Sequence, residues 1–134
     1  MIILYADDDS DDREIFARVI KEIDPQIKVI EAENGLEAII ALTADVLPDM
    51  IFLDVNMPLL NGDQALVQIR KDLGFKDVKV VMYSTNINIQ SIPDYVILNA
   101  AYVNKPSSYT ETVSILRNVI HETLPRYTLA NGYN

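Results

Sequence analysis

Short stretches with no polar residue alternate along this chain with longer stretches whose apolar residues recur every three or four positions. Met50-Ile51-Phe52-Leu53 is the most continuous of the short ones, and Ile2-Ile3-Leu4-Tyr5-Ala6 has the same character. A strand with one wet face alternates apolar and polar residues, so an unbroken apolar run means cover on both faces. Lys28-Val29-Ile30, Val78 to Tyr83 and Ala101-Tyr102-Val103 read as three further strands. Between them lie helical patterns. Ile15, Phe16, Val19, Ile20 and Ile23 mark the first, ended by Asp24-Pro25. A second runs from Asn34 with Leu36, Ile39, Ile40 and Leu42 directed inward. A third opens at Asn61-Gly62 and carries Ala65, Leu66 and Ile69. The last, about Tyr109 to Leu124, places Val113, Leu116, Val119 and Ile120 on one face. Five strands alternating with five helical segments predict an α/β fold: a doubly wound, five-stranded parallel sheet with right-handed crossovers.

The chain of 134 residues is one domain's worth, able to bury about two thirds of its unfolded surface without a staple. Residues 1–124 are expected to form that domain. Pro125 to Asn134 lack periodicity and are expected to be a poorly ordered tail. With no cysteine, disulfide scaffolds, thiolate zinc sites and cysteine nucleophiles are excluded. The formal net charge of −9 disfavours nucleic acid and anionic membrane surfaces as partners. No apolar run approaches the ~20 residues of a membrane span, and no basic leader precedes Met1 to Ala6, so a cytoplasmic protein is expected.

In open α/β sheets ligands bind beyond the carboxyl ends of the strands. There the sequence puts Asp7-Asp8-Asp9, Asp54-Val55-Asn56-Met57-Pro58, Ser84-Thr85 and Asn104-Lys105-Pro106. Asp7, Asp8 and Asp54 should converge, and three carboxylates that close repel unless a cation joins them. A hard divalent ion such as Mg²⁺ suits such a set. Asp54 closes an otherwise apolar strand, a costly place for an unused carboxylate, so it is the candidate nucleophile. Lys105 offers a positive charge and Ser84 a hydroxyl, both suited to a phosphoryl group. Asp9, Asp11 and Asp12 read as helix-capping and first-turn acids. His121, the single histidine, reads as a surface residue.

The series Asp7-Asp8, Phe-Leu-Asp54-Val-Asn56-Met-Pro, Ser84-Thr85 and Tyr102-x-x-Lys105-Pro106 resembles the receiver domain of two-component response regulators, over residues 1 to about 124. The resemblance implies a flavodoxin-like three-layer sandwich with strand order 2-1-3-4-5. It implies that Asp54 accepts phosphate from a histidine kinase or phosphotransfer protein, and that a protein-binding surface then switches toward an unknown downstream partner, without direct DNA or membrane binding. Asp8, Asp7, Asp54 and the Asn56 carbonyl would hold Mg²⁺. Ser84, Lys105 and the Thr85 N–H would contact the phosphoryl oxygens, and Tyr102 would turn inward as Ser84 moves. The Lys105–Pro106 bond would be cis. The domain would catalyse its own phosphorylation and dephosphorylation rather than act as an enzyme on others.

The sequence departs from that pattern in two places. Ala100-Ala101 replaces the usual Gly-Ala, and Pro93 forbids a helix running through from Asn86. Ser91-Ile92-Pro93-Asp94 suggests a capped, late fourth helix, about Pro93 to Asn99, behind an irregular loop from Thr85 to Gln90. Two of Ile87, Ile89 and Ile92 are expected to fold onto the core; a partner surface is the alternative. Three competing functions are weaker. A haloacid-dehalogenase-type phosphatase wants an acid where Asn56 stands. A flavodoxin-like flavin binder would have its phosphate repelled by Asp7 to Asp12. A pseudo-receiver would not need every acceptor-site group.

Overall fold

The chain was analysed as a computed structural model that describes residues 1–44 and 47–121. Five parallel strands form one sheet in the order β2-β1-β3-β4-β5: β1 Ile2–Ala6, β2 Lys28–Ala32, β3 Met50–Leu53, β4 Lys79–Ser84 and β5 Ala100–Asn104. The strands run one or two residues beyond their expected ends at β2, β4 and β5. The helices are α1 Ser10–Ile23, α2 Gly35–Thr43, α3 Gly62–Val67, α4 Ile92–Ile97 and α5 Tyr109–His121. The expected continuation of α5 to Leu124 and the tail lie outside the described residues.

Successive residues of a strand face opposite sides of the sheet, and the two cores divide accordingly. Leu4, Ala6, Ile51 and Leu53 pack with α2, α3 and Tyr95 of α4. Ile3, Tyr5, Met50 and Phe52 pack with Phe16, Val19 and Ile20 of α1 and Leu116 and Val119 of α5. Two inward assignments in α2 are corrected: Leu36 is 44% and Ile40 55% exposed. Leu42 and Ile39 do turn inward, and Gly35 and Ala38 meet the core beside them. This follows from Gly35, whose N–H donates to Leu60 O at 3.1 Å; a Cβ there would lie 2.2 Å from that oxygen. The close approach fixes which stripe of α2 turns inward.

Caps set the helix starts. Asp9 accepts from the N–H groups of Asp11 and Asp12 and opens α1. Asn61 and Gln64 form a reciprocal capping box at α3, whose last turn widens into a π-helical turn over Gln68–Asp72. Ser91 makes no side-chain cap at α4, contrary to expectation. It ends a 3₁₀ turn, Ile89–Ser91, with helical backbone angles, and the cap belongs to Asn88, which accepts from Gln90 N–H. Pro93 does sit in the first turn of α4, where its missing N–H costs nothing. Ile87 and Ile92 pack on the core while Ile89 is exposed, as expected for two of the three.

Candidate functional site

The ladder places two acids side by side. Asp7 N–H donates to Ala32 O at 3.0 Å and Asp54 N–H to Ala6 O at 2.9 Å, so the hydrogen bonding of β1 and β3 runs one residue past each strand. Ala6 pairs with Leu53, which sets Asp7 beside Asp54. Asp7 is fully buried, Asp54 is buried, and Asp8 is exposed. One carboxylate oxygen from each of Asp7, Asp8 and Asp54 lies within 4.8 Å of the others. Asn56 is exposed two residues beyond Asp54. Gly62 lets α3 lie directly on this loop: its N–H donates to Val55 O at 2.9 Å, and a Cβ would come within 2.2 Å of Asp54 O.

Burial raises the proton affinity of Asp54. Lys105 and hydrogen bonds from Ser84 and the Val55 N–H oppose the rise, Asp7 adds to it, and the carboxyl is pushed up to about 6. Lys105 lies across the cluster. Its Nζ donates to Asp7 Oδ2 at 2.6 Å and Asp12 Oδ2 at 2.9 Å, and stands 3.8 Å from Asp54 Oδ1. Burial alone would lower the ammonium's proton affinity, but the bonds to Asp7 and Asp12 outweigh it and the net direction is upward. The Lys105 N–H also donates to Ser84 O at 2.8 Å, tying the ends of β4 and β5 together. The Lys105–Pro106 bond is trans, correcting the cis expectation; trans is the intrinsically favoured form of a bond before proline.

Residues 3–117 match the family model of the response regulator receiver domain. The chain belongs to the response regulator receiver domain family. It is 33% identical over 85 residues to chemotaxis protein CheY1 of Helicobacter pylori, a match covering 63% of this chain and 68% of that one. A crystal structure of a two-component response regulator from Legionella pneumophila is 28% identical, with a TM-score of 0.76 over 92% of this chain and 99% of that one. The phosphorylated cyanobacterial phytochrome response regulator RcpA is 25% identical, with a TM-score of 0.78 over 88% and 89% of the two chains. Other curated relatives are longer: the chain spans 20%, 11% and 48% of three of them.

Receiver domains bind a divalent metal at an acidic pocket, and here the acids that meet are Asp7, Asp8 and Asp54. Ser84 is buried at the end of β4, and Thr85 follows it, exposed. Tyr102 is 7% exposed and already lies inward, its ring 6.2 Å from that of Tyr95. Tyr95 in turn donates from its hydroxyl to Asp63 Oδ1 at 2.6 Å, linking α4 to the first turn of α3. No helix among the described residues is long and apolar enough to cross a membrane.

Tyr5, Arg13 and Asp12 join the acid cluster although the sequence did not single them out for it, and Asn104, expected at the end of β5, supports the loop beside it. The Tyr5 hydroxyl donates to Asp7 Oδ2, and its ring stacks 4.1 Å from Phe16. Burial and the neighbouring Asp7 push that phenol far upward, so it remains a donor. Arg13 donates to Asp7 O at 2.7 Å and pairs with Glu31 at 3.3 Å. Asn104 Oδ1 accepts from Ile87 N–H at 3.0 Å and anchors the loop after β4. Asp12 reads from sequence as a first-turn acid but also holds Lys105.

Proposed function

We propose that Asp54 of this receiver domain accepts a phosphoryl group from a histidine kinase or phosphotransfer protein and that the resulting acyl phosphate switches a surface read by a downstream protein in the cytoplasm. The observation that carries this reading is the meeting of Asp7, Asp8 and Asp54 within 4.8 Å beneath one lysine ammonium. Carboxylates so close need compensation beyond Lys105, and the donor set is all oxygen, which fits Mg²⁺. Asp8, Asp7, Asp54 and the Asn56 carbonyl would hold the ion. When bound, it neutralises charge on the carboxylates and on the incoming phosphoryl oxygens.

The chain's own groups account for the rest. An Asp54 carboxylate oxygen attacks the phosphorus of a phosphohistidine. The P–O bond forms as the P–N bond breaks, and the imidazole leaves with a proton from solvent. Lys105, Ser84 and the Thr85 N–H meet the transferred oxygens, so the domain promotes its own phosphorylation by positioning and charge. Dephosphorylation reverses the connectivity. Water adds at phosphorus, the acyl phosphate P–O bond breaks, inorganic phosphate departs and the Asp54 carboxylate returns. Ser84 moving toward the phosphoryl group is the switch, and Tyr102, already packed inward beside Tyr95, closes on the space behind it rather than turning in from solvent. Asn56 offers no proton-shuttling acid, which disfavours a phosphatase acting on other substrates.

Acetyl phosphate with Mg²⁺ tests the acceptor without a kinase. One phosphoryl group should appear on the intact protein by mass spectrometry, map to Asp54, and be absent in Asp54→Ala. Labelling that persists in Asp54→Ala, or maps to a serine, refutes the reading.

A further inference from the structure

Three carboxylates face the Lys105 ammonium, and they are not equivalent. Asp7 and Asp54 belong to the acid trio that a cation would neutralise, whereas Asp12 does not. Asp12 reaches Lys105 from the first turn of α1 with a 2.9 Å contact, and about a third of its side chain is exposed. Asp7 Oδ2 is shared between Lys105 and the Tyr5 hydroxyl, which weakens that oxygen's claim on the ammonium. Beyond the lysine lies a cavity of about 180 Å³ lined by Tyr5, Asp12, Tyr83, Thr85 and Ser108, so the ammonium has room to move. The Tyr83 ring, 5.8 Å from Nζ, forms one wall of that space.

We infer that Asp12 is a positioning residue that holds Lys105 back from Asp54 and so sets the readiness of the acceptor site. A cation in the acid trio reduces the attraction of Asp7 and Asp54 for the ammonium. Asp12 keeps its full charge and becomes the main competitor for it. A phosphoryl group on Asp54 must then draw Lys105 off Asp12. Each phosphorylation therefore sets a new ion pair against an old one. The inference rests on Asp54 as acceptor, and it adds a residue that acts only through Lys105.

The test uses the full chain with saturating Mg²⁺ and compares Asp12→Asn, which keeps the shape but removes the charge, with Asp12→Glu and Asp11→Asn. Asp11 lies one residue away and its loss changes the net charge equally, so it controls for the general field. The first readout is the ¹⁵N and ¹H signal of the Lys105 Nζ, observed before any phosphodonor is added. It should shift in Asp12→Asn and stay in place in Asp11→Asn. The second is the rate of phosphorylation by acetyl phosphate and the affinity for beryllofluoride. Both should rise roughly 2- to 5-fold in Asp12→Asn, the range of a partly exposed ion pair. Asp12→Glu should restore the wild-type values, and in a Lys105→Gln background Asp12→Asn should change neither.

An unmoved Lys105 signal in Asp12→Asn overturns the inference whatever the kinetics. So does an equal gain in Asp11→Asn, or a gain that survives Lys105→Gln. If the lysine signal moves as expected but no form of the protein takes up a phosphoryl group, the acceptor reading fails and the inference falls with it. The two failures are thus told apart by the spectrum.

Discussion

An ionised Asp54 in the metal-free protein works against folding, and the size of that effect can be derived. Burial lifts its carboxyl from 3.8 to about 6, despite Lys105 and the hydrogen bonds from Ser84 and Val55. Each tenfold change in proton affinity is worth about 1.36 kcal/mol, so at pH 7.5 the ionised group costs about 3 kcal/mol relative to the unfolded chain. Partial relaxation of the neighbouring acids trims what a substitution recovers, and Asp54→Asn should gain about 2 to 3 kcal/mol. For a domain of this size that is roughly 5–12 °C in melting temperature.

The sign follows from proton binding. The folded state binds the Asp54 proton more tightly than the unfolded state, so wild-type stability rises relative to Asp54→Asn as pH falls through 6 toward 3.8. The advantage of the variant should be full above about pH 7 and gone below about pH 3.5. Urea unfolding of both proteins with a chelator, at pH 7.5, 5.5 and 4, measures it directly. Saturating Mg²⁺ at pH 7.5 should shrink or reverse the gap, since the wild type gains more from the ion. An Asp54→Asn protein no more stable than wild type at pH 7.5 without metal, or an advantage that does not diminish with acid, refutes the electrostatic argument.

Asp8→Ala should lose most of the Mg²⁺-induced rise in melting temperature, which for wild type at a hundredfold excess over the dissociation constant corresponds to about 2.7 kcal/mol by calorimetry. Gly62→Ala should cost about 2 kcal/mol or more in urea unfolding, because its Cβ would lie 2.2 Å from Asp54 O and α3 must back away. Arg70→Met should cost about 3 kcal/mol or more by the same measurement. Its guanidinium serves the carbonyls of Leu98, Phe75, Val78 and Asn99 at 2.8–3.0 Å, and methionine leaves all four without that donor.

The apolar runs of β1, β3, β4 and β5 made the sheet legible because a strand covered on both faces admits few polar residues in its middle, and each of these four ended where the candidate chemistry begins. Asp54 stood out for the same reason. The missed features depend on contacts that local pattern does not encode. Leu36 and Ile40 follow helical spacing as well as Ala38 and Leu42 do, and only the close approach of Gly35 to Leu60 O decides between the two stripes. Ser91 has the right neighbours for a cap, but the 3₁₀ turn before it gives it helical backbone angles that a capping residue does not adopt. Asp12 resembles any first-turn acid until the fold brings Lys105 across 93 residues of sequence to meet it. Tyr5 reads as core, and is core, yet its hydroxyl finds the first acid of the site.

The two ends of α4 are held very differently, and this bears on how a signal at Asp54 could leave the site. At its C-terminal end Arg70 binds the carbonyls of Leu98 and Asn99, fastening the helix to the π-helical turn after α3. Ahead of its N-terminal end the loop is held by Asn104 Oδ1 accepting from Ile87 N–H, and Ser91 supplies no side-chain cap. Asn104 pairs with Ser84 across β4 and β5, and Ser84 O accepts from Lys105. A phosphoryl group that drew Ser84 and Lys105 together would therefore pull on the support of the loop from Thr85 to Gln90, while Arg70 kept the far end fixed. The expected motion is a swing of the start of α4 about its clamped end. Tyr95 sits between the two, bonded to Asp63 beside the Gly62 contact with Asp54 O, so the same swing would also load the helix that rests on the loop carrying Asp54.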